Sequence, residues 1–486
     1  MVVVRAIVAR SGGVMPHKFA TMRGTGLVAV ACACAALTGV AGVTGARSAW
    51  LWMHRAPSAA AAPNAGTPAT TDAPSLLHAE PAQSVLADVD DTRPEVFGGG
   101  GPVPVPAPLA GLDLAKMKRD GDGLAAPTEA GTARLTVDPD FQQETLDLLT
   151  AHRLPEAAAV LMDVATGRVL VYASHLEKGV PRDLCAEAKA PSASVFKIVT
   201  AAALVEDAHL GPDTRQCYSG GESRITATDL LDNPARDRNC TTLAGAMGRS
   251  INTVFARLAG GHLSPPQLDA MARRFGYGQS VPFDAPVEPS ALHVPADPLD
   301  FARTAAGFWN STLSPLEAVE ISAIVARGGE TVRPSIVDRV VAPSGAVVWT
   351  APQGPVSRRA VSRETAEQLT AMMDHTVSEG TSRHAFHDGR GRAFLPGIEV
   401  AGKTGTLTDA DTQRYYTWFT GFAPVKPIAD VRQVAVAVLV VNGPRWEVKA
   451  NVIARDVLRS YFASQSTVGV TRPSIAAIQK MHARRH

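Results

Sequence analysis

Gly402-Lys403-Thr404-Gly405-Thr406 constrains the fold of this chain more than any other stretch, because it demands one of two incompatible surroundings. Joined to Gly397 it spells G-x-x-x-x-G-K-T, a pattern that cradles phosphate only between a buried strand and the N-terminus of a helix. Taken alone, Lys403-Thr404-Gly405 can lie on a strand edge. The flanks decide between these. Gly391-Arg-Ala-Phe-Leu-Pro396 cannot form a buried parallel strand, and Ile398-Glu-Val-Ala401 is strand-like where a loop would have to be. Leu407 to Thr412 is turn-forming, and a second strand-like run follows it where a phosphate loop needs a helix. Gly397 to Thr406 therefore reads as one edge of a hairpin, with Tyr415 to Phe422 returning beside it.

The compartment argues the same way. The first 55 residues contain no Asp or Glu, and Arg5, Arg10, Lys18 and Arg23 precede an uncharged apolar run from Gly24 to Ala46. Those 23 residues are long enough to cross a bilayer as a helix. The basic residues ahead of them predict a short cytoplasmic tail (1–23), a transmembrane anchor (24–46) and an exported remainder. Thr44-Gly45-Ala46 would also serve as a signal-peptide cleavage site, and either outcome puts the body of the chain outside the cytoplasm, away from ATP. The net charge of +1 over 486 residues gives no sign of a nucleic-acid partner. In the exported part Cys185, Cys217 and Cys240 lack metal-ligand spacing, so neither a metal nor a cofactor is expected. A Cys217–Cys240 bridge would suit an oxidising compartment and leave Cys185 over.

Residues 47–133 are dominated by Ala, Pro and Gly, with too few large apolar side chains to offset the entropy of folding, and read as a disordered linker. Folded character is expected over 134–463. Leu135 to Val137 reads as a short strand, and Asp140 as the cap of a helix running through Gln142 to His152. Ala158 to Asp163 and Arg168 to Ala173 are strand-like runs split by a turn at Ala165-Thr-Gly167. Trp418 to Phe422 and Val434 to Val441 are strands, and Glu447 to Phe462 is an amphipathic helix. The fold class is therefore α+β: an antiparallel sheet built from both ends of the domain, flanked by helices, with an all-helical subdomain between. Residues 464–486 read as a disordered basic tail.

If Lys403 serves an acyl-transfer site, a serine nucleophile with a nearby base should exist. Ser194-Val-Phe-Lys197 supplies both, at the head of the apolar helical run Val195 to Val205. A helix N-terminus stabilises developing negative charge, and a lysine three residues on lies over the same face. That lysine must be neutral to take a proton, and burial beside a second cation such as Lys403 would lower its pKa. Ser250-Ile251-Asn252 heads another helical run; its serine can relay a proton and its amide can both donate to and accept from a peptide group. Each motif alone is common, and Ser250 alone could be a helix cap. Their order within one domain is the signal.

With these motifs the chain resembles the transpeptidase domains of penicillin-binding proteins. Leu135-Thr-Val-Asp-Pro-Asp-Phe-Gln142, Asp163-Val-Ala-Thr-Gly-Arg-Val-Leu170, Ala306-Gly-Phe-Trp309, Leu313-Ser-Pro315 and Trp418-Phe-Thr-Gly-Phe-Ala-Pro424 resemble further landmarks of that family. The resemblance implies Ser194 as the acylated nucleophile, Lys197 as its base, Ser250 as proton shuttle and Lys403 as electrostatic support. Asn252, Thr404, Gly405 and Thr406 would bind substrate, the two threonines taking a terminal carboxylate. The backbone N–H groups of Ser194 and Thr406 would form the oxyanion hole. The implied activity is that of a serine D,D-transpeptidase that cross-links peptidoglycan stem peptides and binds β-lactams covalently. A D,D-carboxypeptidase or a β-lactam sensor of the same fold is the alternative. No Glu-x-x-Leu-Asn deacylating segment of a class A β-lactamase is present. No glycosyltransferase or pedestal domain is expected in the linker region, so a separate glycan-polymerising partner is implied.

Overall fold

The computed structural model describes residues 105–483, apart from 222, 353–356, 410, 445 and 466–468. The expected cytoplasmic tail, the 24–46 anchor and most of the linker lie outside the described residues. Among those described, no helix is long and apolar enough to cross a membrane.

The main sheet has the order β12-β13-β14-β4-β5 and is antiparallel throughout. It joins β4 (Glu156–Asp163) and β5 (Val169–Leu176) from one end of the domain to β12 (Ala401–Asp409), β13 (Arg414–Ala423) and β14 (Val434–Asn442) from the other. Every residue of β14 is buried, which explains why its sequence is a continuous apolar run instead of an alternating one. Its odd-numbered positions Ala435, Ala437 and Leu439 pack into one core, and its even-numbered positions Val434, Val436 and Val438 into another. Helices cover both faces. On one side lie α1 (Pro139–Ala151) and α10 (Ala450–Ala463). On the other lies α7 (Pro315–Ala326), with the helical subdomain of α2 (Lys197–Glu206), α3 (Leu243–Arg249), α4 (Asn252–His262), α5 (Pro265–Arg274), α6 (Pro298–Ala305) and α8 (Arg363–Ser378) beyond it.

Three sequence expectations need correction. The fold begins before residue 134. β1 (Lys118–Asp120), β2 (Gly123–Thr128) and β3 (Gly131–Leu135) join β10 (Val337–Val341) and β11 (Val347–Thr350) in a second five-stranded sheet through the β3–β10 ladder. Leu109, Leu114, Leu124 and Ala126 are buried in the main core. Few apolar side chains suffice there because strands some two hundred residues away supply the pairing, a contact that local composition cannot reveal. The tail after 463 is also ordered in part: α11 (Ile475–Ala483) follows the short α9 (Arg383–Phe386) and α10 in chain order, Val470 and His482 are buried, and Arg472 pairs with Glu144. The cap of α1 is Asp138, not Asp140: its Oδ1 accepts from the N–H groups of Asp140 (2.9 Å) and Phe141 (3.0 Å).

Two short ladders complete the frame. β6 (Ala190–Pro191) pairs with β9 (Thr312–Leu313) just ahead of the nucleophile segment. β7 (Arg215–Tyr218) pairs with β8 (Asn239–Thr242), and Cys217 and Cys240, opposite one another in that register, form a disulfide. Cys185 is a buried free thiol.

Candidate active site

β12 is the edge strand of the main sheet, and it faces the turn that carries Ser194. Gly405 makes this approach possible, since a Cβ there would lie 3.1 Å from the Cβ of Ala193. From the other side Gly307, at φ +83°, backs the same turn; a side chain there would meet the Ala193 carbonyl at 2.4 Å. The indole N–H of Trp418, opposite Gly405 on β13, donates to the Pro191 carbonyl at 2.8 Å and ties the sheet to the segment preceding the nucleophile. Residues Ala193–Phe196 form a single tight turn that runs into α2, with Ala193 in the left-handed region (φ 50°). Ser194 is partly exposed within this otherwise buried turn.

Lys197 is fully buried in the first turn of α2. Its Nζ lies 2.8 Å from Ser194 Oγ, 2.7 Å from Asn252 Oδ1 and 2.6 Å from the Ala306 carbonyl. Two of these partners can only accept. A neutral amine has two N–H donors and one lone pair; the donors go to Asn252 and Ala306, and the lone pair is left for the one partner that can donate, the Ser194 hydroxyl. Burial, and then the nearby charge of Lys403, push the Lys197 pKa well below its ordinary value, the direction that favours the neutral amine. The arrangement can remove the proton from Ser194 as it attacks.

Lys403 is fully buried as well, and burial lowers its pKa to about 7. Its Nζ donates to Ser250 Oγ at 2.9 Å and to the Thr404 carbonyl at 2.8 Å. Ser250 caps the C-terminus of α3 in the left-handed conformation (φ 58°, ψ 41°), and Asn252 opens α4 two residues later. A serine held there costs on the order of 1–2 kcal/mol relative to an ordinary backbone position. That strain turns the chain between two helices and aims Ser250 Oγ at Lys403 while Asn252 faces Lys197.

The predicted residues thus come together. Ser194, Ser250, Asn252, Thr404, Gly405 and Thr406 line one cleft of about 240 Å³, with the Lys197 and Lys403 amines behind it. Sequence reasoning missed Thr381, whose hydroxyl is 2.6 Å from that of Thr404, and Thr417, Lys449 and Asn451, which also line the cleft. Thr381 follows the end of α8, where Glu379-Gly380 looks like an ordinary helix stop. Nothing local signals that it meets β12.

An antiparallel sheet between helices, with a serine–lysine pair set against a lysine on its edge strand, defines the penicillin-binding class of serine acyl-transfer folds. Residues 157–459 match the family described as penicillin binding protein transpeptidase domain, and the chain belongs to that family. It is 33% identical over 268 residues to the peptidoglycan D,D-transpeptidase PbpA of Mycobacterium tuberculosis, covering 52% of this chain and 50% of that protein. It is 27% identical over 345 residues to the stage V sporulation protein D of Bacillus subtilis, covering 66% of this chain and 52% of that one. The chain therefore spans about half the length of these curated relatives. Among solved structures it resembles the D,D-transpeptidase domain of a peptidoglycan glycosyltransferase from Eggerthella lenta (TM-score 0.56, 26% identity, 69% of this chain and 84% of that one). It also resembles penicillin-binding protein A from M. tuberculosis, solved as an imipenem acyl-enzyme complex (TM-score 0.54, 25% identity, 68% and 79%).

Proposed function

We propose that this protein is a serine D,D-transpeptidase that cross-links peptidoglycan stem peptides and is acylated by β-lactams at Ser194. The observation that carries this reading is the saturation of Lys197: both N–H donors meet acceptors that cannot donate, so its lone pair is directed at the Ser194 hydroxyl. In the first step Ser194 Oγ bonds to the carbonyl carbon of the penultimate residue while Lys197 takes the hydroxyl proton. The N–H groups of Ser194 and Thr406 stabilise the oxyanion. The C–N bond then breaks, and Ser250, bonded to Lys403, hands a proton to the departing amine. In the second step an amine of a neighbouring stem peptide attacks the ester carbonyl and gives its proton back to the Ser250–Lys403 pair. The C–O bond to Ser194 breaks, and Lys197 returns the proton to the serine oxygen. Asn252 holds the substrate amide, and Thr404 and Thr406 take its terminal carboxylate. The names and acyl-enzyme structure of the relatives above support the same chemistry. Residues 24–46 would hold the domain on the outer face of the cytoplasmic membrane, where a separate protein polymerises the glycan.

Mass analysis of muropeptides incubated with the full chain tests the assignment. Cross-linked dimers are the expected product. Loss of terminal D-Ala without dimers would make the protein a carboxypeptidase, and unchanged muropeptides would make it a β-lactam sensor.

A further inference from the structure

The lining of the cleft carries a cation that the chemistry above does not use. Lys449 is the N-cap of α10, and it is exposed at the mouth of the cleft. Its Nζ rests 5.4 Å from the centre of the Trp446 ring, which in turn packs at 5.1 Å against Tyr415 of β13. Among the described residues no carboxylate pairs with it. The two other lysines at the site are buried and committed, Lys197 to Ser194 and Lys403 to Ser250. Lys449 is therefore the cation of the cleft that an incoming anion can reach.

Its position is fixed relative to the threonines. Thr406 faces Thr417 across the β12–β13 ladder, and the Thr417 hydroxyl accepts from the N–H of Ala450, the first residue of α10, at 3.1 Å. This sets Lys449 beside the strand pair that carries Thr404 and Thr406, on the same cleft. A second feature points to a ligand. Asn451, only 6% exposed, lines the same cleft; its Nδ2 donates to Ser382 Oγ (3.2 Å) and to the Thr381 carbonyl (3.5 Å), while its Oδ1 has no hydrogen-bond partner. A buried acceptor left open there calls for an N–H donor on the ligand, so it marks where the substrate's amide would lie beside the anion and not where the carboxylate sits.

We propose that Lys449 is the counter-charge for the substrate's terminal carboxylate, completing from the α10 side the subsite that Thr404 and Thr406 also line. The ligand class is a peptide or bicyclic lactam with a carboxylate adjoining its scissile amide. The aromatic face of Trp446 limits the conformations of the Lys449 side chain, so less entropy is lost when the anion arrives. Lys449 touches the bound carboxylate and not the reacting atoms, so its contribution lies in recognition.

The inference rests on the acyl-transfer reading, and one experiment separates the two. The second-order rate of covalent adduct formation is measured by intact mass on the full chain, with benzylpenicillin and with its neutral methyl ester. Lys449→Gln is expected to slow the acid about three- to tenfold, the effect of one partly screened charge pair with hydrogen bonding, and to leave the ester within about twofold. Lys449→Arg should restore the acid rate, and Lys449→Glu should lower it further. An acid rate unchanged by Lys449→Gln, or acid and ester slowed equally, would overturn the role of Lys449 and leave the acyl-transfer reading standing. Wild-type protein that forms an adduct with neither compound would overturn both.

Discussion

The amine of Lys197 and the hydroxyl of Ser194 stand 2.8 Å apart, and among the described residues no carboxylate pairs with the lysine. The pair differs in this from a serine–histidine–aspartate arrangement, where a buried acid stabilises the protonated base. Here burial, and then a second lysine, disfavour the protonated base and hold the Lys197 pKa well below its ordinary value.

A bell-shaped pH dependence of acylation follows. Below the depressed pKa of Lys197 the amine is protonated and cannot accept from Ser194, so the rate rises with pH on the acid side. Lys403 loses its charge as pH passes about 7, which removes electrostatic support and lowers the rate on the alkaline side. The two amines are close enough to titrate as a pair. Stopped-flow acylation by a fluorescent penicillin between pH 5 and 9 measures the profile, and Lys403→Arg, which stays charged, should shift the alkaline limb upward.

Thr381 orients the Thr404 hydroxyl through a 2.6 Å contact. Thr381→Val keeps the volume and removes the hydroxyl. One hydrogen bond of about 1 kcal/mol corresponds to acylation about fivefold slower. The backbone N–H of Thr381 still donates to the Gly248 carbonyl, so the melting temperature should move by no more than about 2 °C. A large loss of stability would place Thr381 in the scaffold and not in the cleft.

How much of this could be read from the chain depended on distance along it. Ser194 with Lys197, and Ser250 with Asn252, are motifs three and two residues apart, and each sits at a helix start with its own local signal. β14 and the β12–β13 hairpin announce themselves through long apolar or β-branched runs. By contrast β1 is a short charged strand, β2 and β3 are rich in Gly, Ala and Thr, and β3 gains its pairing with Val337–Val341 from far downstream. Thr381, Lys449 and Asn451 reach the cleft only because α8 and α10 pack where they do. Neither their neighbours nor their spacing carries a trace of that.

The Cys217–Cys240 bridge supports the Ser250 segment. It closes a loop with a sequence separation of 23, and β8 leads directly into α3, whose cap is Ser250. Arg257 of α4 reaches back to the Cys217 carbonyl at 2.9 Å and pairs with buried Asp237 at 2.6 Å, locking the same loop. A chain-entropy argument for a loop of this size gives about 3 kcal/mol. The Cys217→Ser, Cys240→Ser double variant should lose about that much in urea unfolding, and slower penicillin acylation should accompany the loss. An unchanged unfolding midpoint would show that Arg257 and the β7–β8 ladder hold the loop without the bridge.

The central claim is that Ser194 is the residue acylated. Its most direct test is proteolytic peptide mapping by mass spectrometry after the full chain has reacted with penicillin, alongside the Ser194→Ala variant. The account predicts one adduct, on the peptide containing Ser194, and none in the variant. An adduct on another residue, or labelling that survives Ser194→Ala, would contradict it.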